Sequence, residues 1–376
     1  MYKIESGKEQ QVPVRKKLDQ KRRELRNLRL LLVLPFAATA ILLALLALVN
    51  KDSEVEISLK VSQISFVLGE PKPASLIDPI KTDSLNLQRY EQLDLGAGVL
   101  EIKAKTNPNN NALLFPPRQV EGDRILIKPS VNHASVWMKG VTLDHLDTKP
   151  RSFVTLKWIE DKPNCLRVSM DDEEVSGGIR FSKSLYLSCD YCEIDSLSFE
   201  GQFLLFKSER EQLAYFSARS GLAIDLVLPS GTKLIERDIY IEKDMKFNKQ
   251  EGNRMMSTII DTGKIRFEEM KKVSKDSFEE KKKEVKVQVG DFVTLDDLKG
   301  FIIKELKIDN GINITLHGRI GKLETGPAGS VKNRLPSLLE WLSVNQTWML
   351  YINALILIGT TILAVLERLK FVPEKK

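Results

Sequence analysis

The chain has 376 residues, of which 42% are hydrophobic and 29% charged, with a net charge of +6, three cysteines and three histidines. This length allows two or three domains. Three cysteines are too few for a disulfide scaffold. The positive excess lies mainly in residues 1–29, which hold ten Lys/Arg against four Asp/Glu. It therefore does not indicate a basic surface for nucleic acid along the rest of the chain.

Residues 1–29 are predicted to be a basic cytoplasmic segment. The stretch 15–29 has no Gly or Pro, and its leucines fall roughly on one helical face. We predict an amphipathic helix on a lipid surface; the alternative is a solvated charged helix. The cations expected at the lipid head groups are Arg15, Lys16, Lys17, Lys21, Arg22, Arg23, Arg26 and Arg29.

Two uncharged apolar runs are predicted to be transmembrane helices. They are Leu30–Val49 (30–49) and Trp348–Leu366 (348–366), and about 20 apolar residues suffice to cross a bilayer. An interfacial helix is expected at 335–347, before the second run. More cations flank each run on its terminal side, which predicts that both chain ends, including the tail 367–376, are cytoplasmic. Residues 50–347 would then lie outside, in the manner of a bacterial inner-membrane protein with a periplasmic domain.

Weakly polar and small residues within these runs indicate helix packing. Asn353 is an amide in an apolar run, Thr360 lies on nearly the same helical face, and Gly359 is next to it. Ala40 and Ala44 form a small-xxx-small pair in the first run. We predict an interface between the two runs or between subunits; the alternative is that these residues are merely tolerated.

The region 50–334 is predicted to be rich in β-strands. Val55, Ile57 and Leu59 alternate with polar residues, which is typical of a half-buried strand. Asn310-Gly311 lies between two apolar runs and predicts a hairpin. We therefore predict a mainly β chain with one or two sandwich-like units, or alternatively a β-solenoid section within 166–228. The mixed-charge stretch Glu268–Glu284 is predicted to be a solvated helix or an insertion.

Few residues suggest chemistry. The acidic run consists of Asp171, Asp172, Glu173 and Glu174. It is a weak calcium candidate, because carboxylates on a loop bind Ca²⁺, but a solvated loop is the commoner case.

Asp144-His145-Leu146-Asp147 is read as a surface turn rather than a metal site, since 144 and 145 on a regular strand point to opposite faces. Cys189 and Cys192 lack a second pair for zinc, and whether they form a disulfide is left open.

We expect no enzyme, no cofactor and no nucleic-acid partner, but a lipid bilayer and a protein partner or self-association. The principal hypothesis is a two-span membrane protein whose outer β-domain binds, senses or scaffolds. The first alternative is an oligomeric pore or ring, because the predicted layout resembles that of two-span channels. The second is a hydrolase on a β scaffold, although the sequence indicates no nucleophile–base pair for it.

Overall fold

The computed structural model describes the chain in segments, namely residues 41, 43–71, 75–103, 105–106, 113–115, 118–171, 174–194, 197–219, 221–273 and 280–344. The chain divides into two compact units. One consists of Met1–Lys51 with Pro336–Lys376, and the other is Asp52–Leu335. The second unit contains all the named strands.

The strands of the second unit lie between Ser53 and Asn333. They are β1 Ser53–Val61, β2 Gln63–Leu68, β3 Ile80–Gln88, β4 Gln92–Asp94, β5 Gly98–Ile102, β6 Lys105–Thr106, β7 Leu113–Phe115, β8 Arg118–Gly122, β9 Leu126–Pro129, β10 Ser135–Thr148, β11 Phe153–Ile159, β12 Cys165–Met170 and β13 Val175–Phe181. They continue as β14 Ser184–Ile194, β15 Leu197–Lys207, β16 Gln212–Ala218, β17 Leu222–Val227, β18 Thr232–Lys233, β19 Ile239–Lys246, β20 Asn248–Glu251, β21 Arg254–Ser257, β22 Gly263–Val273, β23 Glu280–Val287, β24 Phe292–Ile308, β25 Ile312–Gly326 and β26 Lys332–Asn333.

The prediction of two transmembrane helices is corrected. Among the residues that the structure describes, no helix has the length and apolar character needed to cross a membrane. Most of the first predicted span, 30–40 and 42, lies outside the described residues; its residues 41 and 43–48 are helical, here called α1. The second predicted span lies outside the described residues. The absence of such a helix among the described residues contradicts the predicted membrane topology and the predicted localisation.

The structure does not test most of the predicted membrane-site residues. Outside the described residues lie the basic residues of 15–29, Ala40, Asn353, Gly359 and Thr360. Ala44 is described and lies exposed on α1. The helix-packing and lipid-surface roles of these residues remain sequence predictions.

The first unit joins two distant parts of the chain. A β-bridge links Asn50 to Ser337, and the Leu338 amide donates a hydrogen bond to the Val49 carbonyl at 2.7 Å. The helix α2, Leu338–Val344, begins at that point and lies within the predicted interfacial segment. The Lys51 Nζ atom lies 3.0 Å from the centre of the Trp341 ring, a cation–π contact.

The prediction of a mainly β chain is confirmed. Along β1 every second residue is buried, as the alternation of apolar and polar residues predicts. The predicted hairpin is present: β24 pairs antiparallel with β25, and the connecting Asn310 and Gly311 have positive φ angles of 46° and 132°. The sequence signal for a tight turn thus corresponds to an observed one.

Of the finer predictions about the β region, the sandwich is not specifically supported, and the solenoid section and the solvated helix are wrong. Twenty-two strands form one connected sheet rather than an identified sandwich. Within 166–228 the strands pair antiparallel, β12 with β17, β13 with β16 and β14 with β15, whereas a β-solenoid stacks its strands in parallel. The charged stretch Glu268–Glu284 contributes to β22 and β23 rather than to a helix. Charged residues are tolerated there because β23 pairs only with β22 in the described part of the chain.

Six strands close into a ring, which carries the candidate site. In order they are β10, β13, β16, β4, β9 and β14, and β14 pairs back onto the first half of β10. Alternate side chains face inward and are buried, among them Leu146, Phe216 and Leu93. The ring is therefore filled by its own side chains, and polar residues face outward.

Candidate functional site

A row of polar side chains crosses the outer face of four strands of the ring. The register aligns one residue from each of β10, β13, β16 and β4. In strand order the residues are Asp147, Ser176, Ser217 and Gln92, here called the polar row. They provide a carboxylate, two hydroxyls and an amide. All four line an open cleft of about 530 Å³, here called the cleft.

A second row lies two residues further along each strand, about 7 Å away. It consists of His145, Gly178, Tyr215 and Asp94. The His145 ring lies over Gly178, where an added Cβ would be 2.4 Å from His145 Cε1. The ring centres of His145 and Tyr215 are 6.3 Å apart, and Tyr215 is 54% exposed. The second row thus places an exposed aromatic ring beside the polar row.

A β-bulge sets the direction of His145. The register of β10 shifts between Leu143 and His145, so His145 and its neighbour Asp144 meet, and His145 Nδ1 lies 3.1 Å from Asp144 Oδ2. The expectation that these two side chains point apart is wrong, because a bulge adds one residue to the strand. Arg180 Nη2 donates to the other oxygen of Asp144. Partial burial raises the pKa of Asp144, but the hydrogen bonds from His145 and Arg180 outweigh it, and the pKa lies below its ordinary value.

Two ion pairs stand at the rim of the cleft. Lys149 Nζ lies 2.9 Å from Glu174 Oε2, and Arg219 Nε lies 3.2 Å from Glu91 Oε2. The hydrogen bond from Lys149 lowers the pKa of Glu174. All four side chains are at least 40% exposed, so the pairs add little stability. For a ligand, this means that each cation at the rim, Lys149 and Arg219, is already paired with a carboxylate of the protein.

One atom of the polar row lacks a hydrogen bond. Asp147 Oδ1 is buried and has no partner among the described residues. A buried acceptor without a donor costs free energy. The same side chain lines the cleft, so a ligand donor could pair with Oδ1 only if the carboxylate rotates to expose that oxygen.

A second cleft, of about 640 Å³, lies near the connection of β15 and β16. Its amide, Gln212 Nε2, already donates to Ala97 O at 2.7 Å and to Ser208 Oγ at 2.6 Å. Lys207, also in its lining, is paired with Glu101 at 2.6 Å. Because these polar groups are satisfied within the protein, the cleft at the polar row is the better candidate.

The predicted calcium candidates do not converge in the described residues. Asp171 is exposed, Glu174 is paired with Lys149, and Asp172 and Glu173 lie outside the described residues. No group of three or more His, Cys, Asp or Glu in the described part of the chain is placed to hold a metal.

The three histidines lie in separate places. His133 packs against Tyr191 with ring centres 4.8 Å apart, and His317 Nε2 lies 3.4 Å from Glu54 Oε1. His145 is the histidine of the second row. The Asp144–His145 pair is a geometry that orients a base, but Asp144 is shared with Arg180.

The three cysteines are free and buried, which answers the question that the sequence left open. Tyr90 Oη lies 3.3 Å from Cys192 Sγ, and burial raises the pKa of Tyr90. A hydrogen bond between the thiols raises the pKa of Cys189 and lowers that of Cys192. Gln202, the register partner of Cys189, is buried beside them, and neither polar atom of its amide has a partner in the described residues.

A thiol reagent should therefore label no cysteine in the folded protein and three after denaturation. The reason is that Cys165, Cys189 and Cys192 are all 0% exposed, and disulfide-forming reagents need an accessible thiolate. The measurement is a count of the thiols that react with Ellman's reagent, with and without guanidinium. A count of one in denaturant would instead show that two of the three cysteines form a disulfide.

The polar row was not predicted from the sequence, because strand register brings its members together. A local signal did exist: Gly177 and Gly178 are adjacent within a strand, and glycine within a strand marks a close approach. Comparison of the sequence with models of known protein families and with curated proteins finds no match.

Proposed function

We propose that this chain is a non-catalytic binding protein whose β-domain holds a small polar ligand in the cleft. The observation that carries the proposal is the polar row: four strands each present one hydrogen-bonding side chain at matched register positions. Such sites combine a preformed surface with a few placed polar groups. The volume of about 530 Å³ lies within the range of small-molecule sites.

Two features support binding over hydrolysis. His145 is oriented by Asp144, but its ring lies over Gly178 and towards Tyr215. Ser176 and Ser217 are one row away, about 7 Å along the strands, whereas a nucleophile must lie within hydrogen-bond reach of its base. The arrangement therefore favours recognition of a ligand over attack on it.

The test is a melting-temperature screen with three pools of probes: neutral trisaccharides, short peptides, and inorganic phosphate with sulfate. We expect at least one pool to raise the melting temperature of the full chain, because a ligand that binds only the folded state stabilises it. Ser176→Trp should abolish the rise, because the indole would fill the cleft from the centre of the polar row.

The matched control is Ser184→Trp, which adds the same bulk at an exposed position of β14, away from the cleft. It should leave the rise intact. The proposal is overturned if no pool raises the melting temperature, or if the rise persists in Ser176→Trp at full size.

A further inference from the structure

We infer that the ligand of the cleft is a neutral polyhydroxylated molecule, an oligosaccharide, with one sugar ring resting on Tyr215. The inference rests on the proposed function, because it names the class of ligand for the same cleft. It depends on three observations: the exposed ring of Tyr215, the chemistry of the polar row, and the pairing of the charges at the rim.

The Tyr215 ring lies one row outside the lining of the cleft and is available as a platform. It is 54% exposed because it is on the outward face of a strand whose alternate residues are buried. The His145 ring, 6.3 Å away and tilted by 55°, supports it from one side. A flat aromatic face with a polar tip buries the C–H face of a sugar and still leaves the hydroxyls hydrated.

Gly178 is what allows the two rings to approach each other. It lies between them in the register, and a Cβ there would be 2.4 Å from Cε1 and 2.8 Å from Nδ1 of His145. The φ angle of Gly178 is not positive, so the close approach of the ring, rather than the backbone, accounts for the glycine. An alanine at this position would push the imidazole away from Tyr215.

The polar row matches hydroxyl groups. A sugar hydroxyl both donates and accepts, and the row offers the Asp147 carboxylate as acceptor, the hydroxyls of Ser176 and Ser217 in either role, and the Gln92 amide in both. Asp147 Oδ1 has no donor among the described residues. A sugar on Tyr215 would place its next ring over these groups, since the two rows are about 7 Å apart.

The charges at the rim disfavour an anion. Lys149 and Arg219 each face a carboxylate, at 2.9 Å and 3.2 Å, and the row itself carries Asp147. A phosphate or sulfate would have to compete with Glu174 and Glu91 for the cations and would be repelled by Asp147. A neutral ligand neither competes for these cations nor is repelled by Asp147.

The experiment is isothermal titration of the full chain with maltotriose, cellotriose and chitotriose. We expect saturable binding of at least one, with a Kd that changes less than twofold between 50 and 500 mM NaCl, because a neutral ligand is not screened by salt. Tyr215→Ala should weaken binding at least tenfold, whereas Tyr215→Phe, which keeps the ring, should stay within about threefold.

Two further variants separate a stacking role from a loss of fold. Tyr186→Ala removes another exposed tyrosine, 55% exposed, on β14 and should leave the Kd unchanged. Gly178→Ala should weaken binding by displacing His145. Both should melt cooperatively, as should Tyr215→Ala.

Failure of the inference is distinct from failure of the proposed function. If a peptide or phosphate binds and Ser176→Trp abolishes that binding, while no trisaccharide binds, the cleft is a site but not for sugars. If trisaccharides bind equally well to Tyr215→Ala, Tyr215 is not the surface on which the sugar ring rests. If no probe of any class binds, both proposals fall.

Discussion

Arg167→Met should lower the free energy of unfolding by about 3–5 kcal/mol at neutral pH, because it leaves a buried carboxylate without its cation. Asp225 is 1% exposed and receives two hydrogen bonds from Arg167, at 2.6 and 2.9 Å. The same bonds raise the pKa of Arg167. After the substitution, Asp225 keeps the hydrogen bond from Gln88 Nε2, which is long at 3.5 Å.

The measurement is urea denaturation at pH 7. Adding Asp225→Asn to Arg167→Met should recover part of the loss. The control is Arg219→Met, which breaks a pair whose members are 80% and 40% exposed and should cost less than about 1 kcal/mol. Equal losses of unfolding free energy in the two single variants would show that the buried Arg167–Asp225 pair contributes no more stability than an exposed pair.

Gly177→Ala should lower the free energy of unfolding by about 3 kcal/mol, because the added methyl has no space inside the ring of strands. Its Cβ would lie 2.3 Å from Phe216 Cζ and 2.7 Å from the carbonyl oxygen of His145. The Phe216 ring is 2% exposed and cannot move outward, and the carbonyl belongs to the backbone of β10. The midpoint of urea unfolding should fall with little change in m-value.

Gly178→Ala is the matched control, one residue along on the opposite face. The added methyl there meets the end of the His145 side chain and Leu213 Cδ1, which can yield, so the cost should stay below about 1 kcal/mol. A loss for Gly178→Ala as large as for Gly177→Ala would contradict the assignment of inner and outer faces on β13.

The β character of the chain follows from local pattern. Val55, Ile57 and Leu59 are buried as their alternation predicts, and Asn310-Gly311 makes the turn that its residue types favour. What local pattern does not contain is the partner of each strand. The arrangement of the strands as a sandwich, a solenoid or a closed ring is decided by long-range pairing, which the sequence pattern does not specify.

The charged stretch Glu268–Glu284 shows why composition misleads. It lacks an apolar face, which favours a solvated segment, yet parts of it pair as β22 and β23. A strand with one unpaired edge can keep its charges in water, so the absence of alternation does not exclude it. The apolar run 30–49 was assigned a membrane span from its hydropathy alone, and that prediction was wrong.

The candidate site depends on register throughout. Gln92 and Ser217 are direct neighbours in the sheet although they are far apart in the sequence. The bulge that joins Asp144 to His145 is invisible in a single sequence, since no residue there demands it. The adjacent glycines Gly177 and Gly178 were the one local signal. They indicated that something packs closely against this strand, but not which side chain does so.

The most direct test of the account is hydrogen–deuterium exchange of the full chain with and without the tightest-binding probe of the melting-temperature screen. We predict slower exchange in peptides that cover 174–180 and 212–219, the strands beneath the polar row and Tyr215, and no change in 292–326. Protection confined to 292–326, or to any surface other than these two strands and their neighbours β4 and β10, would contradict it.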